Sequence, residues 1–98
     1  MSARLFFSLE KELGLEKRKI AMLLYVTANS GTLDKPAVLE TLDVKKSRAY
    51  TIKSLCMEKA GRLLADFGVQ SDDVNFATAL IAKCEDVLGE DLAKALLK

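Results

Sequence analysis

From position 49 to position 67, Ala49, Ile52, Leu55, Cys56, Ala60, Leu63, Leu64 and Phe67 recur at spacings of three and four. Side chains so spaced share one face of an α-helix, whereas a strand puts every second residue on the same face. The run therefore predicts one long amphipathic helix starting near Lys45, and its stripe demands other elements to cover it. Gly61 lies inside and weakens such a helix by about 1 kcal/mol relative to Ala. A break at Gly61 is the structural alternative within the run.

Upstream, Val38, Leu39 and Leu42 make a shorter apolar face, and Asp43-Val44 interrupts the pattern before the long helix begins. Two helices joined by a tight turn are expected. The first opens at Thr32-Leu33-Asp34-Lys35-Pro36, with Asp34 or Lys35 as cap. Pro36 falls in the first turn, where its missing N–H costs nothing, and Leu33 can staple back onto the helix.

The remaining segments read as helices too. Leu5, Phe6, Leu9 and Leu13 line one face of residues 3–13, which end at Gly14; Phe7 points elsewhere and can bury a second side or meet another subunit. Residues 16–29 begin with charge, continue as IAMLLYVTA and close at Asn29-Ser30-Gly31. The apolar run fits a buried strand, but its Ala, Met and Leu content and its flanks favour a central helix. Gly68 ends the long helix, and Ser71 or Asp72 caps the next, residues 73–88, with Phe76, Leu80, Ile81, Cys84 and Leu88 inward. Gly89 separates it from a last helix over residues 90–97 carrying Leu92, Ala95 and Leu96. Ninety-eight residues with 50% hydrophobic and 30% charged content form one globular domain, residues 1–98. The expected fold class is all-α, a compact bundle of five to six helices.

The chain contains no histidine. This removes the commonest general base and metal ligand, and with them Ser-His, Cys-His and His-carboxylate chemistry. Cys56 and Cys84, each in an apolar helical pattern, cannot complete a tetrahedral zinc site alone. They read as reduced core residues, with a disulfide or inter-subunit bridge as the alternative. The carboxylate pairs Asp72-Asp73, Glu85-Asp86 and Glu90-Asp91 sit near helix ends, and the glycines are scattered singly rather than gathered in a phosphate loop. The sequence predicts no enzyme, no cofactor and no metal. The longest apolar run, residues 20–26, falls far short of the ~20 residues that cross a bilayer. With no secretory pattern at Met1-Ser2-Ala3-Arg4, a cytoplasmic location away from membranes is expected.

The net charge of +1 conceals a division. Residues 1–67 carry 12 Lys and Arg against 8 Asp and Glu, or +4; residues 68–98 carry 3 against 6, or −3. The basic half holds the helix pair. Lys45, Lys46 and Arg48 gather at the start of the long helix, where the macrodipole disfavours each cation by roughly 0.3–1 kcal/mol. An anion such as nucleic acid would supply the missing partner, while the bland alternative is a solvated basic face.

Residues 38–56, VLETLDVKKSRAYTIKSLC, resemble the helix-turn-helix DNA-binding motif of small bacterial and phage regulators. Val38 and Leu42, then Val44, then Ala49 and Ile52 occupy its apolar positions, and LDVKKSRAY resembles its turn and the start of its recognition helix. Leu39 replaces a customary small Ala, Asp43 a turn Gly, and Lys45 a Ser or Thr cap. The resemblance implies a transcriptional regulator binding duplex DNA through the helix starting near Lys45. Lys45, Lys46, Arg48 and Lys53 would meet phosphates or guanine edges, and Ser47, Tyr50, Thr51 and Ser54 would give shorter hydrogen bonds. A variant resembles winged-helix regulators: SLCMEKAGRLL would end the recognition helix, with residues 62–67 as the first wing strand. A homodimer is expected, joined through the helix bearing Leu5, Phe6 and Phe7 or through the C-terminal helices. The competing function is a helical protein-interaction or adaptor module, favoured by the high apolar fraction.

Overall fold

The structure is a computed structural model that describes residues 2–29, 31–70 and 72–97. Six helices follow one another: α1 (Ser2–Leu13), α2 (Lys17–Ala28), α3 (Pro36–Leu42), α4 (Lys46–Asp66), α5 (Val74–Leu88) and α6 (Glu90–Leu97). No strand occurs among the described residues, so the all-α bundle stands. The winged-helix alternative falls, because residues 62–66 continue α4 and Phe67 caps it. Gly61 does not break α4, and a Cβ there would meet nothing within 4 Å.

Helix α2 is the centre. Ile20, Ala21, Met22, Leu23, Leu24, Tyr25 and Val26 are all buried, so every side of the helix is covered. It touches each of the other helices, α5 most extensively. A strand would present these residues to two faces only, whereas surrounding helices accept them all round. Burying each large aliphatic side chain stabilises the fold by about 1.5–3 kcal/mol. The core contains no buried polar or charged residue among those described.

Helix α1 buries Leu5, Phe6 and Leu9 completely. Leu5 and Phe6 are therefore unavailable to a second subunit, and of that trio only Phe7, 59% exposed, faces outward. Its ring lies beside the Lys11 ammonium, 5.3 Å from the centroid. Helix α1 lies along α4, where Glu12 pairs with Lys59 at 4.0 Å and the Arg4 guanidinium covers the Phe67 ring at 5.0 Å. Gly14 ends α1 with φ 66°.

Of the two candidate caps of α3 the structure selects one, and two other local readings need correction. Lys35, not Asp34, occupies the N-cap of α3, with no side-chain cap bond; its Nζ instead donates to the Leu96 carbonyl of α6 at 3.2 Å. The α5 cap is Asp73 rather than Asp72, and its Oδ1 accepts the Phe76 N–H at 3.0 Å; Ser71, the other candidate, lies outside the described residues. In α6 the buried pair is Ala93 and Leu96, while Ala95 is exposed.

Helix α4 has 21 residues, about 31 Å at 1.5 Å per residue. Its length approaches the 35 Å longest extent of the molecule. Only Ala49, Cys56 and Ala60 are fully buried along it. Ile52, Leu63, Leu64 and Phe67 are half-buried, and Leu55, at the margin of the stripe, is 45% exposed. The helix rides on the surface, seated by small residues. Among the described residues, no helix is long and apolar enough to cross a membrane.

Candidate functional site

The site begins at the turn between α3 and α4. Asp43 closes α3 at φ 58°, ψ 43°, and its N–H donates to the Leu39 carbonyl at 2.8 Å. It is the one non-glycine residue at positive φ among those described. A left-handed backbone costs most side chains roughly 1–2 kcal/mol, and Asp is among the few that tolerate it. The reversal is completed by Val44, which is half-buried against the core, and by Lys45, the extended N-cap of α4.

Nothing acidic lies in the first turn of α4, and Lys45 gives no side-chain cap bond. The first N–H groups of a helix have no intrahelical acceptor, so they add positive potential where Lys45, Lys46 and Arg48 already stand exposed. With Ala49 and Cys56 buried and Ile52 half-buried, the opposite side of the helix carries Ser47, Thr51 and Ser54, all exposed, and Arg48 is exposed on its flank. Lys45 and Arg48 form no ion pair among the described residues.

The other residues expected at the site are more constrained. The Thr51 hydroxyl donates to the Ser47 carbonyl at 3.1 Å, inside its own helix. Tyr50 is 37% exposed, and its hydroxyl donates to Asp34 Oδ1 at 2.9 Å. That hydroxyl also lies 3.3 Å from Thr32 Oγ1. Lys53 is half-buried, with its ammonium 6.0 Å from the Tyr50 centroid. Lys46 Nζ lies 3.5 Å from Asp34 Oδ2. The structure thus gathers Lys46 and Tyr50 around one carboxylate, with Lys53 beside the Tyr50 ring, while leaving Lys45, Ser47, Arg48 and Ser54 facing solvent.

Asp34 and Thr32 are the members that the sequence did not reveal. Asp34 is 16 residues from Tyr50 along the chain, and only its own backbone N–H, bonded to Thr32 Oγ1 at 3.2 Å, is a local contact. A loop carboxylate reaching back to a later helix has no periodicity to expose it.

Elsewhere the chemistry is sparse. A hollow of about 460 Å³ between α2 and α3 mixes Glu16, Arg18, Lys19 and Glu40 with Thr41. A second, about 520 Å³, lies where α5 meets α6 beside Tyr25, Glu85, Asp86, Glu90 and Lys94. There the Tyr25 hydroxyl donates to Glu85 Oε2 at 3.3 Å, and burial, reinforced by the Glu85 charge, raises the phenol pKa. Cys56 and Cys84 are unpaired and buried. Burial pushes the Cys56 thiol up to about 11 and, with help from Glu85 and Cys56, the Cys84 thiol up to about 12. Neither forms a useful fraction of thiolate near neutrality. Among the described residues, no group of three His, Cys, Asp or Glu side chains assembles as a cation site.

Compared with protein-family models, curated proteins and solved structures, the chain finds no match.

Proposed function

We propose that this chain is a small, non-enzymatic regulator that binds duplex DNA by presenting the first turns of α4 to the major groove. The observation that carries the reading is the start of α4. Three exposed cations and a row of exposed Ser47, Thr51 and Ser54 project from a helix whose Ala49 and Cys56 face the core. A helix so presented matches the ~12 Å groove, with cations for phosphates and short polar side chains for base edges. The left-handed turn at Asp43 supports the same reading, because it reverses the chain in the space of Val44 and Lys45. A homodimer belongs to the proposal, joined through Phe7 or the C-terminal helices, where Val74 and Leu97 are exposed. Two α4 helices could then meet successive grooves about 34–36 Å apart.

Salt titration of binding to a mixed-sequence duplex tests the reading. Each neutralised phosphate contributes about −0.9 to the slope of log Kobs against log salt, so contacts from three cations give a slope of about −2.7. Replacing Lys45, Lys46 and Arg48 together with Ala abolishes binding while the helical circular dichroism persists. Survival of binding in the triple variant refutes this face. A wild-type chain that ignores duplex at low salt favours the adaptor reading, for which exposed Phe7 and Val74 would be the contacts. Concentration-independent monomer in sedimentation refutes the dimer.

A further inference from the structure

The loop before α3 places a carboxylate over the proposed DNA-reading surface. Asp34 is divided between two partners on α4: Oδ2 lies 3.5 Å from Lys46 Nζ and Oδ1 accepts the Tyr50 hydroxyl at 2.9 Å. These are the bonds that a phosphate makes with a lysine and a tyrosine: two anionic oxygens, one against an ammonium and one receiving an O–H. Thr32 fixes the arrangement from the other side. Its hydroxyl lies 3.3 Å from that of Tyr50 and also accepts the Asp34 N–H at 3.2 Å, so loop and helix share one small network. Asp34 caps no helix, since the N-cap of α3 is Lys35, so its carboxylate has no other local assignment.

We propose that Asp34 is a built-in competitor of phosphate, occupying Lys46 and Tyr50 in the free protein so that duplex must displace it to engage them. The inference rests on the DNA-binding reading of α4 and deepens it by naming its regulation. Both ends of the ion pair remain substantially exposed, Lys46 at 63% and Asp34 at 48% of the side chain. The pair is therefore accessible to an incoming phosphate and is a weak contact, as exposed pairs are. A backbone phosphate, held in place by its neighbours along the duplex, would replace it without unfolding the loop. Lys45 and Arg48, which have no such internal partner among the described residues, would make the first encounter. Lys46 and Tyr50 would engage only after Asp34 lets go. The device damps binding to arbitrary duplex, where phosphate contacts supply nearly all the affinity.

The test uses the full chain with Asp34→Asn, which keeps the shape of the residue and one acceptor oxygen for Tyr50 and removes the charge that holds Lys46. Binding to a labelled mixed-sequence duplex is measured across a salt series for wild type, Asp34→Asn, Lys46→Gln and the double variant. Because Lys46 reaches its phosphate in both proteins, the salt slope is unchanged and only the displacement of Asp34 is saved, which for an exposed pair is roughly 1.4- to 5-fold in affinity. Asp34→Asn is expected to show that gain in the wild-type background and to lose most of it in the Lys46→Gln background, because the two residues act on each other. Equal affinity for wild type and Asp34→Asn overturns the inference and leaves the DNA reading standing. An equal gain in both backgrounds also overturns it, since Asp34 would then act by general repulsion. If neither wild type nor Asp34→Asn binds duplex at low salt, the DNA reading itself falls and takes the inference with it. Thermal unfolding followed by circular dichroism checks that each variant is folded.

Discussion

Replacing Thr27 by Val should stabilise this protein. The Thr27 hydroxyl is buried without a hydrogen-bond partner. It sits near the end of α2, the helix around which the core is built. Other helical threonines behave differently: Thr41 Oγ1 donates to the Ala37 carbonyl at 2.7 Å, and Thr51 Oγ1 to the Ser47 carbonyl at 3.1 Å. Thr and Val have nearly the same shape and similar helix propensity, so the substitution isolates the hydroxyl. A buried, unsatisfied polar group costs about 1–3 kcal/mol, of which partial burial of the whole residue keeps the lower end. The expected gain is about 1 kcal/mol, or roughly 4–8 °C in Tm for a domain of this size. Thr41→Val serves as the contrast, since it removes a hydroxyl that has a partner and should be level or lower in stability by up to about 1 kcal/mol. Urea unfolding of the three proteins at one pH measures both differences. If Thr27→Val is no more stable than Thr41→Val, the Thr27 hydroxyl has a partner in solution and the reasoning fails.

Two further predictions concern stability. Asp73→Ala removes the side-chain cap of α5 and should cost about 1 kcal/mol in urea unfolding, whereas Asp73→Asn should retain most of it. The buried thiols predict an alkaline limit: an unfolded Cys releases its proton near 9.0, while Cys56 and Cys84 hold theirs to about 11 and about 12. Above pH 9 the unfolded chain therefore binds fewer protons than the folded one, and stability falls with rising pH. Replacing both cysteines with Ala should flatten the dependence of the urea midpoint on pH between 9 and 11, and an unchanged dependence refutes the assignment.

What was legible in the sequence follows from how local each signal is. The long period through Ala49, Cys56 and Ala60 specified α4, and Gly61 could not interrupt it because a solvent-facing glycine weakens a helix without breaking it. Asp43 was readable as a turn residue because few other side chains accept its backbone conformation. The sequence sets the α5 cap at Ser71 or Asp72, ahead of the Asp73 that the structure uses, because all three are competent caps and the path of the loop chooses among them. The sequence offers Leu5 and Phe6 as a subunit contact along with Phe7, because adjacent apolar residues overfill a narrow stripe. Helix α1 in fact meets α2, α4 and α5, so both find cover and only Phe7 is left out. Within the candidate site, exposure of Lys45, Ser47, Arg48 and Ser54 followed from the position of the stripe. The diversion of Tyr50 and Lys46 to Asp34 did not, since it depends on how the loop before α3 folds over α4.

The interior, finally, is held by shape alone. With no buried hydrogen-bond network to insist on a particular side chain at a particular place, aliphatic residues of similar size can be exchanged there at small cost. The positions that resist exchange are instead the backbone reversals at Gly14, Asp43, Gly68 and Gly89. In a library of randomised variants, the chain's identity should reside in those four corners, while the large aliphatic positions of its middle exchange among Leu, Ile and Met.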